Sequence, residues 1–113
     1  MNGLYITSSN SIAALQAMRE IGCLGILPIV STDVFPELIP YLRDGVVKAT
    51  ICQRPETQGS VAIRTMYRYL SKGAVPEHSI DVIPQLVIRS NLDLYIKSGT
   101  RIALAKAAIS SFK

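Results

Sequence analysis

The chain has 113 residues, 49% of them apolar, with 12 basic and 8 acidic side chains and a formal net charge of +4. That length suits one small domain with a real core, and no apolar stretch approaches the roughly 20 residues needed to cross a bilayer. The basic residues are scattered, so the charge reads as a solvated surface and argues against nucleic-acid contact by this chain itself.

Met1-Asn2-Gly3 leads into strand-like residues with no basic n-region or apolar h-region, so no signal peptide is expected. Leu4 to Thr7 is a short β-prone run, and Ser8-Ser9-Asn10-Ser11 supplies small polar residues suited to capping a helix. Ile12, Leu15, Met18 and Ile21 recur at helical spacing, with Gly22 as a stop. Leu24 to Ser31 is almost wholly apolar, as in a strand buried on both faces of a parallel sheet. Phe35, Leu38 and Leu42 predict a helix that ends at Gly45, with Pro40 loosening its start.

Val46 to Cys52 predicts a third strand, and Gln58 to Leu70 a long helix that ends at Lys72-Gly73. Ile80 to Ile88 is a fourth β-prone run interrupted by Pro84, which argues for an edge position or a break into two short strands. Ile102, Ala105, Ile109 and Phe112 mark one stripe of a final helix over 96–113. Strands alternating with helices predict an α/β unit built on a parallel sheet with flanking helices.

The catalytic and cofactor signatures are missing. There is no G-x-G-x-x-G, no phosphate-binding G-x-x-x-x-G-K-[ST] and no G-x-S-x-G elbow, so no cofactor is expected. Cys23 and Cys52 form no C-x-x-C pair and read as buried free thiols, while His78 is a lone loop histidine that makes no metal site or triad. A phosphoacceptor receiver domain would need further carboxylates beside a strand-end aspartate, and the first strand ends in Thr7-Ser8-Ser9-Asn10.

Two polar residues remain. Asp33 closes the second apolar strand and Gln53 closes the third, just before Arg54-Pro55. Ligands of open α/β sheets sit in the crevice outside such strand ends. Asp33 serves equally well on pattern as an N-cap for the next helix, and Gln53 as a polar residue that merely ends a strand. Arg54 lies close to the same crevice, whereas Tyr67 and Tyr69 read as packing and surface residues.

Several stretches together resemble one family. They are Gly3-Leu4-Tyr5-Ile6 before a small polar cluster, Pro28 to Asp33, and the run Asp44 to Pro55 with the pattern D-G-x-x-x-A-T-I-x-Q-x-P. Gln58-Gly59 opening the long helix and Leu86 to Tyr95 at the close complete the set. This order is similar to the C-terminal part of the effector-binding core of lactose-repressor-type (LacI-type) transcriptional regulators, whose bilobed fold is shared with periplasmic sugar-binding proteins.

The resemblance implies a type I periplasmic-binding-protein-like fold, with 1–95 as the C-terminal portion of the ligand-binding core and 96–113 as a helical tail. It implies that Asp33 and Gln53 hydrogen-bond a small polar effector of the sugar class, with a third contact from Ser8 or Asn10. Carboxylate and carboxamide groups suit vicinal hydroxyls. No catalytic residue and no metal is implied. DNA would be bound only through a headpiece outside this chain, the location would be cytoplasmic, and no membrane is involved. A transport or sensor sugar-binding protein outside the cytoplasm is the alternative, and a small enzyme is disfavoured. The apolar helix Gln58 to Leu70 would face a lobe that this chain lacks, so a homodimer is expected.

Overall fold

The computed structural model describes residues 2–8 and 10–99. A four-stranded sheet in the order β1-β2-β3-β4 organises them. The strands are β1 (Leu4–Tyr5), β2 (Ile29–Thr32), β3 (Val47–Cys52) and β4 (Gln85–Ile88). The first three run parallel, and β4 returns antiparallel along β3 with Thr50 opposite Val87. The sheet is therefore mixed rather than purely parallel. Pro84 acts as expected: it directly precedes an edge strand, and residues 80–84 stay outside the sheet.

Helix α1 (Ser11–Glu20) joins β1 to β2. Asn10 is its N-cap residue but makes no side-chain capping bond, contrary to the role expected of the small polar cluster. The second strand begins five residues later than the apolar run suggests. Gly22 at φ 71° and Gly25 at φ 88° both turn the chain through the left-handed region, and Ile26 is 71% exposed. After β2, a 3-10 turn over Pro36–Leu38 leads into α2 (Ile39–Arg43). Pro40 sits in the first turn of α2, where its missing N–H costs nothing. Gly45 at φ 74° ends the segment, its N–H donating to the Leu42 carbonyl at 3.2 Å.

One face of the sheet carries the core. Leu15 and Met18 of α1, Leu38, Leu42 of α2, Leu92, and Ile29, Val47, Cys52 and Val87 from the strands form a single buried cluster. Each such aliphatic side chain contributes about 1.5–3 kcal/mol when taken fully out of water. Arg19 of α1 donates to the Tyr41 hydroxyl at 3.2 Å, and Arg43 pairs with Asp93 at 3.2 Å across to a helical run at 92–99. Both contacts are exposed and secondary to the core. Cys52 is buried and Cys23 only half-buried; both are free thiols.

The opposite face is different. Alternation along the strands places Tyr5, Val30, Ala49, Ile51, Leu86 and Ile88 there. All are half-buried or exposed among the described residues, with Tyr5 at 53% and Leu86 at 56%. Helix α3 (Pro55–Lys72) is barer still: none of its residues is buried, and Ile63, Met66, Tyr67, Tyr69 and Leu70 are all exposed. It starts three residues earlier than the pattern predicts, because Pro55 takes the first helical turn, and it closes on Gly73 at φ 63°. The expected stripe of Ile102, Ala105, Ile109 and Phe112 lies outside the described residues.

Leu42→Ala is expected to lower the unfolding free energy by about 2–5 kcal/mol. Ile26→Ala should stay within about 0.5 kcal/mol. Urea denaturation of the two variants checks the contrast.

Candidate functional site

The three parallel strands β1, β2 and β3 end on the same side of the sheet, so the residues that follow them converge there. Thr32 ties the first two ends together, its hydroxyl donating to the Ile6 carbonyl at 3.0 Å. Asp33 follows at φ 64°, in the left-handed region that a residue with a Cβ occupies at a cost of about 1–2 kcal/mol. Three hydrogen bonds hold it, all to the β3 side. Its N–H donates to the Ile51 carbonyl at 2.8 Å. The Thr50 hydroxyl donates to its carbonyl at 2.6 Å, and the Gln53 N–H donates to its Oδ1 at 2.9 Å.

Asp33 is therefore not a helix N-cap. Phe35 occupies that position for the following turn, and the Asp33 carboxylate reaches across to the next strand instead. Its Oδ2 has no hydrogen-bond partner among the described residues.

Gln53 is anchored by its main chain. Its N–H goes to Asp33, and its carbonyl accepts from the Gln58 carboxamide at 2.7 Å. Its own carboxamide is exposed and makes no hydrogen bond among the described residues. Arg54, at φ 56° and ψ 55°, is the second non-glycine residue in the left-handed region and is the N-cap residue of α3. Strained backbone on two neighbouring strand ends is typical of ligand clamps.

The other two expected contacts lie at the end of β1. Ser8 and Asn10 are exposed, and the Asn10 N–H donates to Ser8 Oγ at 3.4 Å. Neither makes a hydrogen bond to Asp33 or Gln53. The structure thus joins Asp33 to Gln53 directly and sets Ser8 and Asn10 on the same side of the sheet.

A cavity of about 420 Å³ opens beside Asp33, lined by Cys52, Arg54, Glu56, Gln85 and Tyr95 among others. Gln53, Ser8 and Asn10 do not line it. Tyr95 closes one wall, its hydroxyl 3.3 Å from Cys52 Sγ. Burial is the main cause of a phenol pushed up to about 12; the hydrogen bond to Cys52 and the charges of Cys52, Glu56 and Asp33 add to it. Sequence reasoning missed Thr50 and Tyr95 as parts of this site. Thr50 carried a signal, a hydroxyl within an apolar strand that must find a partner once buried. The Tyr95–Cys52 contact spans 43 positions and has no local signature.

A larger cavity of about 690 Å³ runs between α3 and residues 76–82, with Val61, Met66, Tyr69 and Ile80 in its lining, away from the strand ends. No group of three or more His, Cys, Asp or Glu side chains could hold a metal among the described residues. No described helix is long and apolar enough to cross a membrane.

Residues 1–74 match the periplasmic binding protein domain, and the chain belongs to that family. No curated protein matches it. An ABC transporter solute binding protein from Agrobacterium vitis, solved with bound D-fucose, is 26% identical over 82% of this chain and 32% of its own, with a TM-score of 0.75. The Caulobacter myo-inositol binding protein bound to myo-inositol is 26% identical over 80% of this chain and 30% of its own, with a TM-score of 0.70. An ABC transporter periplasmic solute binding protein from Actinobacillus succinogenes with bound D-allose is 26% identical, covering 80% and 32% respectively, at 0.67. The chain spans about a third of the length of these structures.

Tyr95 makes stability depend on alkaline pH. The unfolded phenol ionises near pH 10, whereas the folded one holds its proton up to about 12. Its contribution is complete below pH 10 and is lost as pH rises through that window. Urea midpoints measured across the window should fall more steeply for the native chain than for Tyr95→Phe.

Proposed function

We propose that this chain is the ligand-sensing portion of a LacI-type transcriptional regulator that binds a small neutral polyhydroxylated effector, a sugar or sugar-like polyol, without turning it over. One observation carries the reading. Asp33 and Gln53 stand on adjacent parallel strand ends, joined by the Gln53 N–H donating to Asp33 Oδ1, while Asp33 Oδ2 and the Gln53 carboxamide are unpaired among the described residues. Such a pair accepts from and donates to neighbouring hydroxyls in fixed directions, and a ligand lacking one hydroxyl would leave a protein group unpaired. Ser8 and Asn10 extend the polar rim at the end of β1.

The regulator assignment rests on the D-G-x-x-x-A-T-I-x-Q-x-P run and on the ending Leu86 to Tyr95. In it, effector binding shifts the balance between two lobe arrangements, DNA contact falls to a headpiece outside these 113 residues, and the location is cytoplasmic. A transport or sensor binding protein is the second reading, favoured by the solute-binding proteins among the structural relatives. A helix-turn-helix coding region upstream in the parent reading frame would favour the first, and a signal peptide the second.

The polar pair is tested by titrating the 15N-labelled chain with D-fucose, D-allose and myo-inositol. The amide resonances of Asp33 and Gln53 should move with affinity of about a millimolar, some 4 kcal/mol. Asp33→Ala should abolish the shifts while the chain stays folded. Unchanged shifts in that variant would remove Asp33 from the site.

The second proposal is that two copies pair through the apolar surface of α3 and the uncovered sheet face. Apolar patches of this kind on an otherwise folded chain mark interfaces. Sedimentation at micromolar concentration should show a dimer that Met66→Lys dissociates. A monomer whose Met66→Lys variant is equally soluble and stable would show that α3 needs no partner.

A further inference from the structure

We propose that Thr50 is a positioning residue for ligand recognition: its buried hydroxyl locks Asp33 in the left-handed conformation that commits Oδ1 to Gln53 and leaves Oδ2 to accept from a ligand hydroxyl. This rests on the ligand role proposed for Asp33.

The argument starts from the backbone. Asp33 sits at φ 64°, a conformation that persists only when its surroundings over-determine it. Its N–H bond to Ile51 continues the ladder between β2 and β3 and would form with any residue at position 33. The bond from Gln53 requires the carboxylate to be in place already. The Thr50 bond is the remaining constraint, and the only side-chain donor to the Asp33 carbonyl among the described residues. Its length of 2.6 Å and the 0% exposure of Thr50 make it short and shielded from competing water.

The choice of threonine follows from three demands on one position. The residue must suit a parallel strand, fill a core-facing slot opposite Val87, and donate a hydrogen bond. Valine meets the first two and serine the last. Without the donor, the carbonyl of Asp33 loses the partner that holds the peptide in this orientation. A residue returning to negative φ swings its Cβ away, and the carboxylate then leaves the Gln53 N–H.

The consequence concerns specificity. A carboxylate with one oxygen held by a main-chain N–H cannot rotate freely to meet a ligand. It presents Oδ2 in a set direction, which suits O–H donors on a neutral polyol and gives nothing to an anionic group.

The test compares the native chain with Thr50→Val, Thr50→Ser and Asp33→Asn by amide NMR and by titration with D-fucose, D-allose and myo-inositol. Thr50→Val should shift the Gln53 amide proton upfield and weaken the tightest sugar about tenfold, equivalent to about 1.4 kcal/mol. Thr50→Ser should restore both. Asp33→Asn keeps an acceptor for Gln53 but replaces the free oxygen with a donor, so the Gln53 amide should stay in place while sugar binding falls.

A merely structural Thr50 would lower the urea midpoint of Thr50→Val yet leave the Gln53 amide and the affinity of the folded chain unchanged. That result overturns the proposal, as does undiminished sugar binding by Asp33→Asn. Should the valine variant not fold, the serine variant decides: folding with a displaced Gln53 amide and lost affinity refutes the role of the hydroxyl. Should the native chain bind none of the three sugars, the ligand reading falls and with it the recognition role of Thr50. The Gln53 amide in the valine and serine variants then still shows whether Thr50 holds Asp33.

Discussion

The pairing of β2 with β3 is the constraint on which this structure turns. It brings the residue after one strand within hydrogen-bonding distance of the residue after the other, and Asp33 is bound on three sides as a result. The left-handed backbone at Asp33 is intrinsically unfavourable, and only contacts from the neighbouring strand offset it. The same contacts orient the carboxylate. Register, strain and polar presentation are thus one physical arrangement seen at three levels. A slip of one residue along β3 would turn Thr50 out of the core and take the Gln53 N–H away from Asp33.

A second consequence concerns what the sheet leaves uncovered. α1, α2 and the helical run at 92–99 contribute Leu15, Leu42 and Leu92 to one face, while the other keeps Tyr5, Leu86 and Ile88 in contact with water. Parallel strands are ordinarily covered on both faces, because their side chains are apolar on both. α3 adds a further apolar surface with no buried residue. The chain spans about a third of the length of its structural relatives, so the fold described here is one portion of a larger architecture in those proteins.

Solved structures similar to this chain hold D-fucose, D-allose and myo-inositol. Those three ligands share ring hydroxyls and the absence of charge. At the strand ends here, one carboxylate oxygen and one carboxamide make no hydrogen bond among the described residues. The cavity beside Asp33 is bounded by Tyr95, whose burial keeps its phenol neutral well past the ordinary range.

What could be read from the residues alone was local or periodic. The apolar runs announced β3, the glycines at 45 and 73 announced helix ends, and Pro84 announced an edge, because each of these follows from the preferences of one short stretch of backbone. Asp33 and Gln53 stood out as polar groups at the ends of apolar strands. The rest depended on distant partners. Leu24 to Pro28 is apolar but turns at Gly25, and only the register of β2 against β1 and β3 decides where the strand begins. The antiparallel return of β4, the choice between cap and clamp for Asp33, and the Cys52–Tyr95 contact all join residues far apart in the chain. Composition and spacing placed Asp33 and Gln53 at the ends of two apolar strands. Tertiary structure alone decided that Asp33 spends one oxygen on Gln53 and keeps the other unpaired among the described residues, because that outcome depends on two strands lying in register and on a hydroxyl buried between them.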